Sequence, residues 1–327
     1  MRSIDRRQFL ERMLALGGTA LATAAFVSLL SCSKEPTPEP PSDNTTPPPP
    51  PPGNAAYLAV ARGESSATLP TTLVQRSISA IGGIERFVKP GNDVIIKPNI
   101  CGSGRTPEYA STTNPEVVAA LVALCLWAGA KRVRVMDFPF SGTPNDAYNN
   151  SGIAEAVRAA GGEMEVMTSM KFQDTPIPNG KAINSCRVYT DILETDVLID
   201  VPIAKHHSDT VLTLGMKNMM GVVSNPQSYH TADMAERVTD LNTLARPHLV
   251  VVDAIRILMK NGPTGGKLEW VKQTNTIIAS HDIVAADSYG ATLFGKTALD
   301  VPIVLAGARR GLGIMDLSSI KIEEIAA

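Results

Sequence analysis

Cysteine is scarce in this chain: four residues in 327, at positions 32, 101, 125 and 186, with no Cys-x-x-Cys. That argues against an intrinsic iron–sulfur cluster of the ferredoxin kind. Cys125 lies in an apolar helical stretch and reads as core, while Cys101 and Cys186 leave open whether they pair in an oxidising compartment. Positive charge is not in excess either. Thirty basic residues face 32 acidic ones, a formal charge of −2, and nothing suggests the basic face that nucleic acid needs. The chain has no His-x-x-x-His and no His-Glu-x-x-His, so spacing indicates a zinc site only weakly, and it has no Gly-x-Ser-x-Gly for a serine hydrolase. The segment Asn261 to Leu268 has Asn in place of the first glycine of a phosphate loop, and Leu where Ser or Thr would hold magnesium. It reads as a turn or a mobile loop. Gly311-Leu312-Gly313 lacks the third glycine of a dinucleotide fingerprint, and no internal repeat is visible.

What is present begins with Asp5-Arg6-Arg7-Gln8-Phe9-Leu10, followed by an uncharged stretch from Met13 to Leu30 rich in Ala, Gly and Thr. Paired arginines before a weakly apolar segment read as a twin-arginine export signal, although Asp5 and Glu11 stand where Ser/Thr and Lys are commoner. A transmembrane anchor is the alternative, since about eighteen residues just suffice to span a bilayer. Leu29-Leu30-Ser31-Cys32 resembles a bacterial lipoprotein box, which favours cleavage before Cys32 and acylation of that cysteine. Residues 32–54 then carry the unbroken run Pro47 to Pro52, which holds an extended spacer at about 3 Å per residue. The expected organisation is a signal peptide over 1–31, a proline-rich linker over 32–54 and one α/β domain over 55–327. Losing residues 1–31 removes four arginines and two acids and moves the formal charge from −2 to −4. The expected location is the periplasm or cell envelope, with the membrane reached through a lipid anchor and the twin-arginine translocase as partner during export.

Within 55–327, apolar runs of strand length alternate with helical segments. Strands are expected at Tyr57–Ala61, Asp93–Lys97, Arg132–Met136, Glu163–Met167, Val197–Val201, Leu249–Val252 and Thr276–Ala279. Helices are expected at Leu69–Ile81, from Asn114 to a stop at Gly129, at Ile153–Ala160 and at Ile283–Phe294. Asn114-Pro115-Glu116 is a well-formed helix start: an Asn cap, Pro at the first position and an acid in the first turn. The alternation predicts an α/β fold with a largely parallel sheet and helices on both faces. A small antiparallel excursion is expected near 171–195.

In such sheets ligands lie beyond the carboxyl ends of the strands, so the residues found there carry the chemistry. Those positions hold Lys97 and Asn99, Asp137, Lys205 and His206, and Asp253, with Lys217 and Asn218 one short element later. Lys97, Lys205 and Lys217 suit a carboxylate or phosphate, and a desolvated lysine also serves as a base. His206 or His207 could shuttle protons or hold a metal ion, with His230 as a third imidazole. On an extended segment the two adjacent imidazoles point opposite ways, so one of them faces the site. His206 is taken as that one. Lys205, His206, Asp253 and Asp287 are the catalytic candidates; Lys97, Asn99, Asp137, Lys217 and Asn218 are the ligand-binding ones.

Lys97-Pro98-Asn99, the Asn114-Pro115 helix with Ala128-Gly129-Ala130, Asp137, and Val201-Pro202 with Lys205-His206 together resemble one family. Lys217-Asn218-Met219-Met220-Gly221, Val252-Asp253, Asn261-Gly262-Pro263 and Asp282-Ile283-Val284-Ala285-Ala286-Asp287 complete the set. That family is catalogued as domain of unknown function 362. Many relatives carry cysteine-rich ferredoxin segments, which this chain lacks, and relatives with a twin-arginine leader occur. The resemblance implies a strand-end pocket and no assigned reaction. By analogy only, the layout is similar to nickel-dependent hydroxy-acid racemases, which also use Lys and His in an α/β site. The expectation is an enzyme acting on a carboxylate- or phosphate-bearing small molecule. The alternative is a non-catalytic surface lipoprotein that binds an anion, a metal or a cofactor.

Overall fold

A computed structural model describes residues 53–65 and 67–327. The twin-arginine segment, Cys32 and nearly all of the proline-rich linker lie outside the described residues. Among the described residues, no helix is long and apolar enough to cross a membrane.

Twelve strands run in chain order: β1 (Leu58–Arg62), β2 (Asp93–Pro98), β3 (Arg132–Val135), β4 (Glu163–Met164), β5 (Phe172–Pro176), β6 (Ser185–Tyr189), β7 (Val197–Val201), β8 (Ile203–His207), β9 (Val211–Thr213), β10 (Leu249–Leu258), β11 (Val271–Ser280) and β12 (Ile322–Ala326). The nine α-helices of the described residues are α1 (Pro70–Ala80), α2 (Pro115–Trp127), α3 (Pro144–Asn150), α4 (Ile153–Ala159), α5 (Thr190–Glu194), α6 (Gly215–Asn218), α7 (Met234–Leu244), α8 (Ile283–Thr292) and α9 (Pro302–Arg309). Ten strands form one sheet in the order β12-β1-β11-β10-β7-β2-β3-β4, with β8 pairing β10 and carrying β9. β10, β7, β2, β3 and β4 run parallel, as do β8 with β10 and β1 with β12.

The central strands of the large sheet are buried on both faces. Leu58, Val60, Ile95, Leu198, Val250 and Val252 join one core, while their neighbours Ala59, Ala61, Val94, Ile96 and Val251 are equally buried but belong to the other face. Each such aliphatic side chain contributes roughly 1.5–3 kcal/mol when taken out of water. α1 lies on β1 and β11 and against α2, which packs on β2 and α4; α8 lies on β10 and β11, and α7, α9 and α6 gather around it. The start of α2 is built as its sequence suggests: Asn114 accepts from the Glu116 amide at 2.9 Å, and Pro115 occupies the first turn.

Two expectations change. β11 is not another parallel strand: it pairs antiparallel with β10 on one side and β1 on the other, because residues 259–270 return as a hairpin instead of crossing over. β10 also runs on to Leu258, which leaves Asp253 mid-strand and not at a strand end. The antiparallel excursion near 171–195 is a separate two-stranded sheet, β5 with β6. Pro202 divides what would be one long strand into β7 and β8; its carbonyl accepts from the Asp253 amide at 2.8 Å, so the chain stays on the sheet and delivers Lys205 and His207 beyond it.

Candidate functional site

The carboxyl ends of β2, β3, β7 and β8 converge with α6 on a cavity of about 280 Å³. Its floor is a chain of buried polar groups. Lys97 Nζ forms an ion pair with Asp137 Oδ1 at 2.7 Å, and the same ammonium donates to Pro98 O at 2.9 Å and Asn218 Oδ1 at 3.1 Å. Asp137 Oδ2 accepts the Ile100 amide at 2.6 Å. Burial pushes the Asp137 carboxyl up, and the adjacent Lys97 ammonium opposes that shift. Gly221 covers this pair closely: a Cβ there would stand 2.0 Å from Asp137 Oδ1 and 2.7 Å from Lys97 Nζ.

Asn218 and Asn99 connect the floor to the next cation. Asn218 Oδ1 accepts from Asn99 Nδ2 at 2.8 Å, and its Nδ2 donates to Asp200 Oδ1 at 2.7 Å. Asp200 is fully buried, and burial pushes its carboxyl well above the ordinary range. Lys205, 1% exposed, donates to Asn99 Oδ1 at 2.8 Å and Ser111 O at 2.6 Å. Burial lowers its pKa, partly offset by contact with Cys101. Lys217 is different: it lines the cavity with no hydrogen bond or ion pair among the described residues. Burial, and then the nearby Lys205 charge, bring its pKa down to about 8. The Thr213 hydroxyl, also on the cavity wall, is buried without a partner.

Of the adjacent imidazoles, His207 and not His206 faces the cavity. On a strand, residues two apart share a side, so Lys205 carries His207 with it. His206 turns away and accepts the Gly262 amide on Nδ1 at 3.2 Å, tying down the 259–270 connection. His207 Nδ1 accepts the Asp209 amide at 3.1 Å, which leaves the ring proton on Nε2. Burial, reinforced by Lys217, depresses its pKa to about 3, so the ring is neutral at physiological pH.

His207, Asp209 and His230 place ligating atoms within 4.8 Å of one another, the one such group among the described residues. As arranged they fit a metal ion poorly. Asp209 Oδ2 accepts from His230 Nδ1 at 2.7 Å, its Oδ1 accepts from Ser208 at 2.9 Å, and the Nδ1 lone pair of His207 is already engaged.

Asp253 and Asp287, expected to handle protons, do not line the cavity. Asp253 accepts the Asn114 and Ile255 amides at 2.7 and 3.0 Å, and Asp287 accepts the Gly215 and Met216 amides at 2.6 and 2.9 Å. Amides at the start of a helix have no internal partner; Asp287 satisfies the two that open α6, whereas Asp253 takes the Asn114 amide ahead of α2 and the Ile255 amide of its own strand. Both residues therefore position the site, at the heads of α2 and α6. Burial raises their pKa values to about 6 and about 7. Conversely, no sequence motif singles out Cys101, yet it lines the cavity beside Lys205 and is a free thiol, as is Cys186. The apolar wall comes from Ile100, Phe138, Phe140 and Met220.

Fold and site together define an α/β protein with a lysine-rich cavity at the carboxyl edge of its parallel strands. Residues 94–292 match the family described as Domain of unknown function (DUF362), and the chain belongs to it. A thylakoid-associated protein of Synechocystis is 26% identical over 243 residues, spanning 72% of this chain and 73% of that one. Two solved structures are similar to this chain at a lower level. The lactate racemase apoprotein of Thermoanaerobacterium thermosaccharolyticum has 12% identity and a TM-score of 0.47 over 72% of this chain, and a Thermotoga maritima protein has 10% and 0.39 over 69%. The chain spans 56% and 59% of the length of those two structures.

Proposed function

We propose that this protein is an exported, lipid-anchored enzyme that holds a carboxylate- or phosphate-bearing small molecule in the strand-end cavity. One observation carries the reading: the cavity has cations to spare. Asp137 is matched by Lys97, Asp209 is engaged by His230 and Ser208, Asp200 accepts from Asn218 with burial pushing its carboxyl well above the ordinary range, and Asp253 and Asp287 are turned to backbone amides. Lys205 and Lys217 are left without a carboxylate partner, which is unfavourable in a largely buried site unless an anion joins them. The Nε2–H of His207 and the free Thr213 hydroxyl add neutral donors to the same wall. An amine with a pKa of about 8 can take and give a proton near neutral pH, with the neutral His207 as a hydrogen-bond donor beside it, which favours catalysis over capture.

The chain's 1–31 signal, acylation at Cys32 and the 32–54 spacer would place the 55–327 domain in the cell envelope, close to a membrane. The thylakoid association named for the Synechocystis relative agrees with that placement. Incorporation of labelled palmitate, abolished by Cys32→Ala, tests the anchor; failure of export in the paired Arg6→Lys, Arg7→Lys variant tests the route.

For the site, titration calorimetry with inorganic phosphate and with small carboxylates is the direct test. Lys205→Met and Lys217→Met should each weaken binding by about tenfold or more, as expected for the loss of a charge-assisted hydrogen bond of roughly 1.5–3 kcal/mol. With a substrate in hand, His207→Gln should abolish turnover while sparing affinity, and His206→Gln should leave turnover in place. A protein that binds anions but yields no product from any bound compound would be the capture protein instead. Absence of anion binding would remove both readings.

A further inference from the structure

The cavity's cations are not equivalent. Lys97 is fixed in an ion pair and Lys205 by two hydrogen bonds, one of them to a backbone carbonyl. Lys217 has its Nζ free in the cavity, and its backbone is held from both sides: Asp287 grips the two amides that open α6, and Asn218 is tied to Asp200 and Lys97. A rigidly based amine with no partner, beside a second cation, is an arrangement in which lysine can act as a nucleophile as well as a counter-ion.

We propose that Lys217 forms an imine with a small carbonyl compound that carries a carboxylate or phosphate, the anionic group being held by Lys205. The proposal rests on the anion-binding reading above and deepens it by naming the reacting group of the substrate. The balance is simple. The Nζ lone pair attacks the carbonyl carbon, a C–N bond forms, and the C=O π pair moves to oxygen, which takes a proton. The carbinolamine then expels that oxygen as water while the nitrogen gives up its remaining proton. Amine and carbonyl go to imine and water, with no oxidant or reductant. The Nε2–H of His207 and the unpartnered Thr213 hydroxyl can each donate a hydrogen bond to the departing oxygen. The fall of the Lys217 pKa to about 8 supplies free amine at neutral pH. The charged and titratable groups that set it are Lys205, Cys101, Asp209 and Lys97.

The test traps the imine. Full-length protein in detergent is incubated with pyruvate in one arm and dihydroxyacetone phosphate in the other, reduced with borohydride, and mapped by peptide mass spectrometry. The expected result is a single stable adduct at Lys217 in at least one arm, absent from Lys217→Arg and kept in Lys321→Arg; the arm that labels tells carboxylate from phosphate. Binding of propionate and glycerol 3-phosphate, the counterparts without a carbonyl, is measured on the same sample. Anion binding without a Lys217 adduct overturns the imine and leaves the anion site standing. Adducts spread over surface lysines, or centred on Lys205, overturn it too. Neither binding nor adduct removes both proposals. Mapping the wild-type protein keeps the test decisive if Lys217→Arg folds poorly.

Discussion

Asp287→Asn should remove an unusual pH dependence of stability. Asp287 is 1% exposed, and burial raises its pKa from 3.8 to about 7, while the Gly215 and Met216 amides pull the other way. The folded state therefore holds this proton more tightly than the unfolded chain does. The associated stability is fully present below the unfolded value near 3.8 and is lost as pH rises towards 7. At about 1.4 kcal/mol per unit, the interval amounts to roughly 4 kcal/mol. Asparagine cannot ionise and still offers one oxygen to the two amides. The difference in unfolding free energy, wild type minus Asp287→Asn, should thus fall by about 4 kcal/mol between pH 4 and pH 8. Urea unfolding at half-unit intervals of pH, followed by circular dichroism, measures it directly. A difference that stays flat would mean that the two amides fully compensate burial and that the carboxylate is ionised throughout. A difference that grows with pH would refute the reasoning outright.

Two further outcomes rest on the packing. Gly221→Ala has to force a methyl between Lys97 and Asp137, and it should lower unfolding stability by about 1–3 kcal/mol and weaken anion binding. Gly104→Ala, which would meet nothing within 4 Å, should change neither. Arg134→Met strips the buried guanidinium shared by Asp93, Glu165 and Asp191, at a cost of roughly 3–5 kcal/mol in chemical denaturation. Burial pushes Glu165 and Asp191 up, but Lys171 and Arg134 outweigh it and leave both lowered. Their contribution is accordingly present above pH 4–5 and lost on acidification, so the deficit of Arg134→Met should shrink as pH falls.

Much of the site could be read from strand ends. Asp93–Lys97, Arg132–Val135 and Val197–Val201 are unmistakable buried strands, and the polar residues at or just beyond their ends, Lys97 with Asn99, Asp137 and Lys205, are the ones the structure brings to one cavity. The choice between His206 and His207 was also open to arithmetic, because a period of two from Lys205 selects His207. Asp253 and Asp287 were not legible. A sequence displays a carboxylate in an apolar run but not the helix amides, contributed from elsewhere in the chain, that engage it. The direction of Val271–Ser280 was hidden for a related reason: its apolar run fits a crossover or a return equally well, and only residues 259–270 decide. Cys101 escaped because it is a single residue in a connecting loop with no motif around it.

The alternation along β8 also divides labour between neighbours. Lys205 and His207 face the ligand space, whereas His206, on the reverse side of the same strand, restrains the stretch that brings Pro263 to the cavity wall. The floor is tied by an ion pair and a closed set of amide and carboxyl bonds; this part of the roof is held by the His206 imidazole and by the Cys101 thiol, which donates to Pro263 O at 3.8 Å. A neutral hydrogen bond like that of His206 contributes roughly 0.5–1.5 kcal/mol net. The base of the cavity is thus welded, while its roof meets the lysine floor through one thiol: Cys101 bonds Pro263 on one side and touches Lys205 on the other.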